Sequence, residues 1–192
     1  MWYSKASQAK TKRKVFISFY QADRTEVDAF IKKWADDEGV FIAKALGASD
    51  NDDFISSTDP AYVMTRIRQK YLGDSTVTIV LLGKCTHSRR YVDWELKTSL
   101  RRGEYTPNGV MGILLSSVAS GGVHLPPRLQ ANWNKDHKDC YARYYGYPAS
   151  ATDLRSWIDD AFQARTTRAD FIQNSADMMK YNATCKVCGV TH

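Results

Sequence analysis

Glu95 has the surroundings in this chain that point most directly to chemistry. It sits in Ser88-Arg89-Arg90-Tyr91-Val92-Asp93-Trp94-Glu95-Leu96, shortly after the apolar run 76–82. At about 100° per residue, Ser88, Tyr91, Val92, Glu95 and Ser99 share one helical face, while Arg90, Asp93 and Lys97 turn away from it. Glu95 therefore belongs near the inward face of its helix. A carboxylate held there costs free energy unless it has a partner or a task. The residues alone leave two readings open: a carboxylate serving chemistry at a sheet edge, or a salt-bridged glutamate reaching solvent.

The elements that must position Glu95 follow from the apolar pattern. Residues 76–82, bounded by Gly83, read as a buried parallel strand, and the segment after it reads as a helix over 90–102 with Ser88 as candidate N-cap. Residues 14–19 form the expected first strand. Val27, Phe30, Ile31 and Trp34 give 23–37 a helical spacing. Residues 40–45 predict a second strand, 58–72 a helix opened by Asp59-Pro60, 109–116 a further strand and 141–147 a last one. Two helices, over 152–164 and 169–181, are expected at the C-terminal end. Strands alternating with helices predict an α/β fold: a doubly wound, flavodoxin-like parallel sheet of about five strands, helices on both faces, and C-terminal helices in addition. On such a sheet, ligands gather at the carboxyl ends of the strands. That rule brings Ser18, Phe19 and Tyr20, the loop 84–88, and the acidic stretch holding Asp50, Asp52 and Asp53 toward Glu95.

Composition narrows the function classes. Five of the 27 basic residues fall within residues 1–14, which hold no acid, leaving 22 basic against 21 acidic residues in the body. The net charge of +6 thus belongs mainly to a short basic segment, read as a flexible tail over 1–12. The nearly neutral body speaks against nucleic acid as the partner. No apolar run approaches a membrane span and residues 1–14 lack a signal-type apolar core, so a cytoplasmic setting without membrane partners is expected.

Several familiar motifs fail. Gly83-Lys84-Cys85-Thr86 has no upstream glycine at position 78 and no Ser or Thr after the lysine, so it is not a P-loop. No glycine-rich dinucleotide fingerprint follows the first strand, and no Gly-x-Ser-x-Gly elbow exists. Gly83 stands where a receiver fold would place an aspartate. Cysteines occur at 85, 140, 185 and 188. Cys185-x-x-Cys188 with His192 has the look of half a zinc site. Cys140 and His137 could complete it only through the fold, so free thiols and no metal are expected.

Taken together, these residues resemble the TIR domain, and more closely the TIR-like ThsB proteins of bacterial Thoeris antiphage systems. Val15-Phe16-Ile17-Ser18-Phe19 followed by Asp23 is similar to the family's opening strand and acidic box. Ser88-x-x-Tyr91-Val92-x-Trp94-Glu95-Leu96 is similar to its helix motif, with Tyr91 near the tryptophan position and Val92 at the cysteine position. The resemblance covers roughly 13–150, which makes 151–192 a helical extension packed on the same domain. It implies that Glu95 is the catalytic residue of an NAD-consuming enzyme that cleaves the nicotinamide–ribose bond. It further implies a cyclic ADP-ribose-type signalling nucleotide, a separate effector that responds to it, and a phage-derived trigger. NAD would be substrate, with no further cofactor. Ser18, Phe19, Tyr20, Ser88, Tyr91, Trp94 and Asp53 are the expected substrate-binding residues. The rival is a non-catalytic TIR interaction module with an inert Glu95; a homo-oligomer is compatible with either.

Overall fold

The computed structural model describes residues 11–46, 56–118 and 122–192. Its strands form where the β-rich apolar runs lie: β1 (Lys14–Ser18), β2 (Ile42–Leu46), β3 (Val77–Leu82), β4 (Gly109–Leu114) and β5 (Arg143–Tyr145). All pair in parallel, in the order β2-β1-β3-β4-β5. Parallel neighbours need crossovers, which here carry α1 (Arg24–Ile31), α2 (Pro60–Ile67), α3 (Arg90–Ser99) and the short α4 (Pro127–Ala131), while α5 (Ala151–Thr167) follows β5. This is the expected flavodoxin-like arrangement. α2 starts as its sequence requires: Asp59 caps it by accepting from the Ala61 amide at 2.9 Å, with Pro60 at the first position. α1 and α2 each run on into a wider π-helical turn, Lys32–Asp37 and Arg68–Leu72.

The period of two along the strands divides the core. Val15, Ile17, Ile79, Leu81, Met111 and Ile113 face α1 and α5, where Val27, Phe30, Trp34, Leu154 and Ile158 meet them. Phe16 faces the other way, against Val63 and Ile67 of α2 and Trp94 of α3. Val80 and Leu82 share that second side with Val92 and Leu96 of α3. The same alternation turns Ser18 toward α3. On the first side α5 lies directly on the sheet backbone: a Cβ at Gly109 would stand 1.9 Å from the Ala161 carbonyl oxygen, so only glycine fits.

Two expectations are corrected. The helix expected over 169–181 is a single 3₁₀ turn, Ala169–Phe171, followed by an extended segment. That segment crosses the outer side of α3 and satisfies its backbone through α3 side chains instead of its own helical bonds. Lys97 donates to the Ala176 carbonyl at 2.6 Å, and Trp94 Nε1 to the Met179 carbonyl at 2.8 Å. Asp93, expected on a solvated face, is consequently buried. Ser88 is not the N-cap of α3 but part of the 3₁₀ turn Thr86–Ser88 before it; Arg89 occupies the cap position. Among the described residues, no helix is long and apolar enough to cross a membrane. Most of the basic segment and Asp53 lie outside the described residues.

Candidate active site

Ser18 and Glu95 meet at the carboxyl end of β1. The Ser18 hydroxyl donates to Glu95 Oε2 at 2.6 Å, and both residues are buried. β1 supplies the serine through its strand alternation, and α3 supplies the glutamate through its inward face. Val92, Glu95, Leu96 and Ser99 are all buried on that helix. One turn beyond Glu95, Ser99 Oγ and Thr78 Oγ1 lie 2.8 Å apart, and Asn108 Nδ2 donates to Thr78 Oγ1 at 3.2 Å. The polar groups under α3 are thus paired, as burial requires. The Ser18–Glu95 bond is short, fixing one carboxyl oxygen.

The other expected substrate-binding residues have varied surroundings. Phe19 packs in the core formed with α1 and α5. Tyr20 is half-buried, with the Arg89 guanidinium 4.0 Å from its ring centroid and the His192 ring 5.8 Å away. Ser88 is buried; its hydroxyl donates to the Cys85 carbonyl at 2.9 Å, and its carbonyl accepts from the Ala183 amide at 2.9 Å. Tyr91 and Trp94 meet edge to face at 5.5 Å, and the Trp94 indole is buried against Phe16, Val63 and Ile67. The structure brings Ser18 and Glu95 into direct contact, while Phe19 and Trp94 contribute their rings to packing.

A second carboxylate stands at the same sheet edge. Asp23 opens α1, and Gly83 ends β3. A Cβ at Gly83 would lie 2.2 Å from an Asp23 carboxylate oxygen, so the glycine makes room for the acid. Thr86 links them: its hydroxyl accepts from the Gly83 amide at 2.9 Å and lies 3.5 Å from Asp23 Oδ2. Burial, aided by Glu26, pushes the Asp23 pKa up to about 6, although Thr86 and Arg89 oppose the shift. Sequence reasoning did not single out Asp23 as a site residue. Its signal was the pairing of an acid after the first strand with a glycine closing the central one.

The outer side of α3 is built differently. Arg128 of α4 holds Asp93 with two bonds, Nε to Oδ1 at 2.9 Å and Nη2 to Oδ2 at 3.2 Å. The Met179 amide adds a third to the same carboxylate at 2.9 Å. Beside this pair, a groove of about 720 Å³ opens between the start of α2, the outer face of α3 and the segment 177–181. Arg90, Trp94 and Lys97 line it; Glu95 does not, because it turns toward the sheet. The volume suits a small-molecule cleft, but the buried carboxylate lies on the other side of the helix. The C-terminal cysteines are free thiols, but Cys185 does not sit on a loose tail. Cys185 is buried, with its Sγ 2.8 Å from Cys85 Sγ in the loop after β3.

Comparison with curated proteins finds no match. The family model for the TIR-like domain of the Thoeris protein ThsB matches residues 16–120, more than half of the chain. That span runs from β1 to just beyond β4 and contains Ser18, Asp23 and Glu95. The parallel sheet, the strand-end site and this match agree: the chain belongs to the Thoeris ThsB TIR-like family.

Proposed function

We propose that this Thoeris family member consumes NAD, cleaving the nicotinamide–ribose bond and converting the remainder to a cyclic ADP-ribose-type nucleotide that signals to a separate effector. The observation that supports this reading is the Glu95 carboxylate, buried at the carboxyl edge of the sheet and oriented by Ser18 Oγ at 2.6 Å. Nicotinamide departs as a neutral ring, so the cleavage asks for no general acid. The ribose carbon left behind takes on oxocarbenium character, as in glycoside hydrolysis. A fixed carboxylate beside it stabilises that charge without reorganising during the reaction. Ser18 would hold one oxygen of Glu95 so that the other faces the ribose. Cyclisation instead of hydrolysis then requires water to be kept from the cation. Glu95 is only 1% exposed, so a dinucleotide reaches it only after the groups covering it are displaced. That requirement suits an enzyme switched on by a phage-derived trigger.

The same burial favours a second reading, a TIR interaction module in which Glu95 is a structural carboxylate and Phe19 and Trp94 are core residues. The two readings separate on one experiment. The chain, alone and co-expressed with phage proteins, is incubated with NAD, and the products are resolved by chromatography and mass spectrometry. Nicotinamide release with a cyclic ADP-ribose-type mass supports the enzyme. Intact NAD in every condition supports the module.

A further inference from the structure

We propose that Cys85, Cys185, Cys188 and His192 form a structural zinc site that fastens the C-terminal segment to the loop between β3 and α3. Cys85 Sγ lies 2.8 Å from Cys185 Sγ and 3.5 Å from Cys188 Sγ, and Cys188 Sγ lies 3.2 Å from His192 Nε2. The donor atoms of Cys85, Cys188 and His192 all fall within 4.8 Å of one another. Four donors of this kind, three sulfur and one imidazole nitrogen, match the Cys₃His set of closed tetrahedral zinc sites. Cys185 lies outside that group of three, so loading asks it to shift toward the other donors; Zn–S bonds of about 2.3 Å place tetrahedral sulfurs roughly 3.8 Å apart, so its Sγ must also draw about 1 Å away from Cys85 Sγ.

The backbone around the pair Cys185 and Cys188 is shaped for such an ion. The Gly189 amide donates to the Cys185 carbonyl at 2.8 Å, and the Cys185 amide to the Val190 carbonyl at 2.9 Å, which folds 185–190 into a tight knuckle. Gly189 has φ of +74°, a left-handed conformation that glycine adopts without strain. The fourth ligand comes from a distant part of the chain: Cys85 follows β3 and precedes α3. The Ala183 amide bonds the Ser88 carbonyl at 2.9 Å, the Lys186 amide bonds His87 Nε2 at 3.0 Å, and Arg89 Nη1 bonds the His192 carbonyl at 3.1 Å. These bonds bring the knuckle onto the loop that leads into the Glu95 helix. Four protein ligands leave no open position, so the ion's role is structural rather than catalytic. The inference does not depend on NAD chemistry.

The test uses the full chain, expressed without a histidine tag and purified under reducing conditions without chelator. Elemental analysis should find about one zinc per chain, and Cys188→Ser and Cys185→Ser should each lower that content at least several-fold. Cys140→Ser, which alters a buried thiol outside the cluster, should keep it. Because a cysteine variant can misfold, wild-type chain is also stripped of metal and titrated with cobalt. Thiolate-to-cobalt charge-transfer absorption together with strong tetrahedral ligand-field bands is expected. Wild-type chain with no zinc and no cobalt spectrum of that form would overturn the site. So would a Cys85–Cys185 disulfide found by mass spectrometry in the chain as purified, or zinc that survives both Cys185→Ser and Cys188→Ser.

Discussion

Ser18 Oγ donates to Glu95 Oε2 at 2.6 Å, joining positions 77 apart in sequence. The pair ties the end of β1 to the middle of α3 and sets the direction of a buried carboxylate. Ser18→Ala removes this donor and leaves Glu95 less well solvated. A loss of about 1–3 kcal/mol in unfolding free energy is expected from urea titration. In the enzyme reading, the same variant lowers kcat for nicotinamide release more than it raises KM, because the carboxylate loses its orientation. A variant with unchanged stability would show that the bond is not significant in solution.

Asp93 and Arg128 are both buried, and the pair joins α3, α4 and the C-terminal segment. Removing one partner from a buried pair leaves the other uncompensated. Asp93→Ala should therefore cost about 3–5 kcal/mol. The double variant Asp93→Leu with Arg128→Met should cost clearly less than the sum of the two single changes, because neither charge is then stranded. Additive losses would contradict the pairing.

Asp23 predicts a pH dependence with a definite sign. Its folded-state pKa, about 6, lies above the ordinary 3.8, so the folded chain binds the proton more tightly than the unfolded chain. The ionised carboxylate thus weakens the fold above about pH 6, and the penalty fades as pH falls toward 3.8. Asp23→Asn should raise stability at about pH 7.5 by of order 1 kcal/mol, well below the full linkage value because the carboxylate keeps solvent contact. The gain should vanish near pH 4. An equal gain at both pH values would place its cause in packing rather than ionisation.

Much of the site's placement was legible from the chain. The apolar run of β3 and the helical spacing after it put Glu95 on an inward face, and the gathering of ligands at the carboxyl ends of parallel strands brought Ser18 toward it. The sequence was less informative where distant segments share a surface. Asp93 looked solvated because helical periodicity assumes that one side of a helix meets water; here the segment 172–181 covers that side. By its sequence the same segment reads as part of a helix over 169–181. Its backbone groups instead pair with Asp93, Trp94, Lys97, Arg128 and Asn132, which local propensity cannot anticipate. Cys185 and Cys188 looked like half a motif because their remaining partner, Cys85, lies about 100 residues upstream.

The central claim, that Glu95 carries the chemistry, is tested most directly by comparing nicotinamide release from NAD by the wild-type chain and Glu95→Gln, each co-expressed with phage proteins. Glutamine keeps the size and accepts the Ser18 hydrogen bond but lacks the charge. Release should fall at least about 10²-fold while the variant remains folded, with melting close to wild type. Wild-type turnover in a folded Glu95→Gln variant would contradict the account.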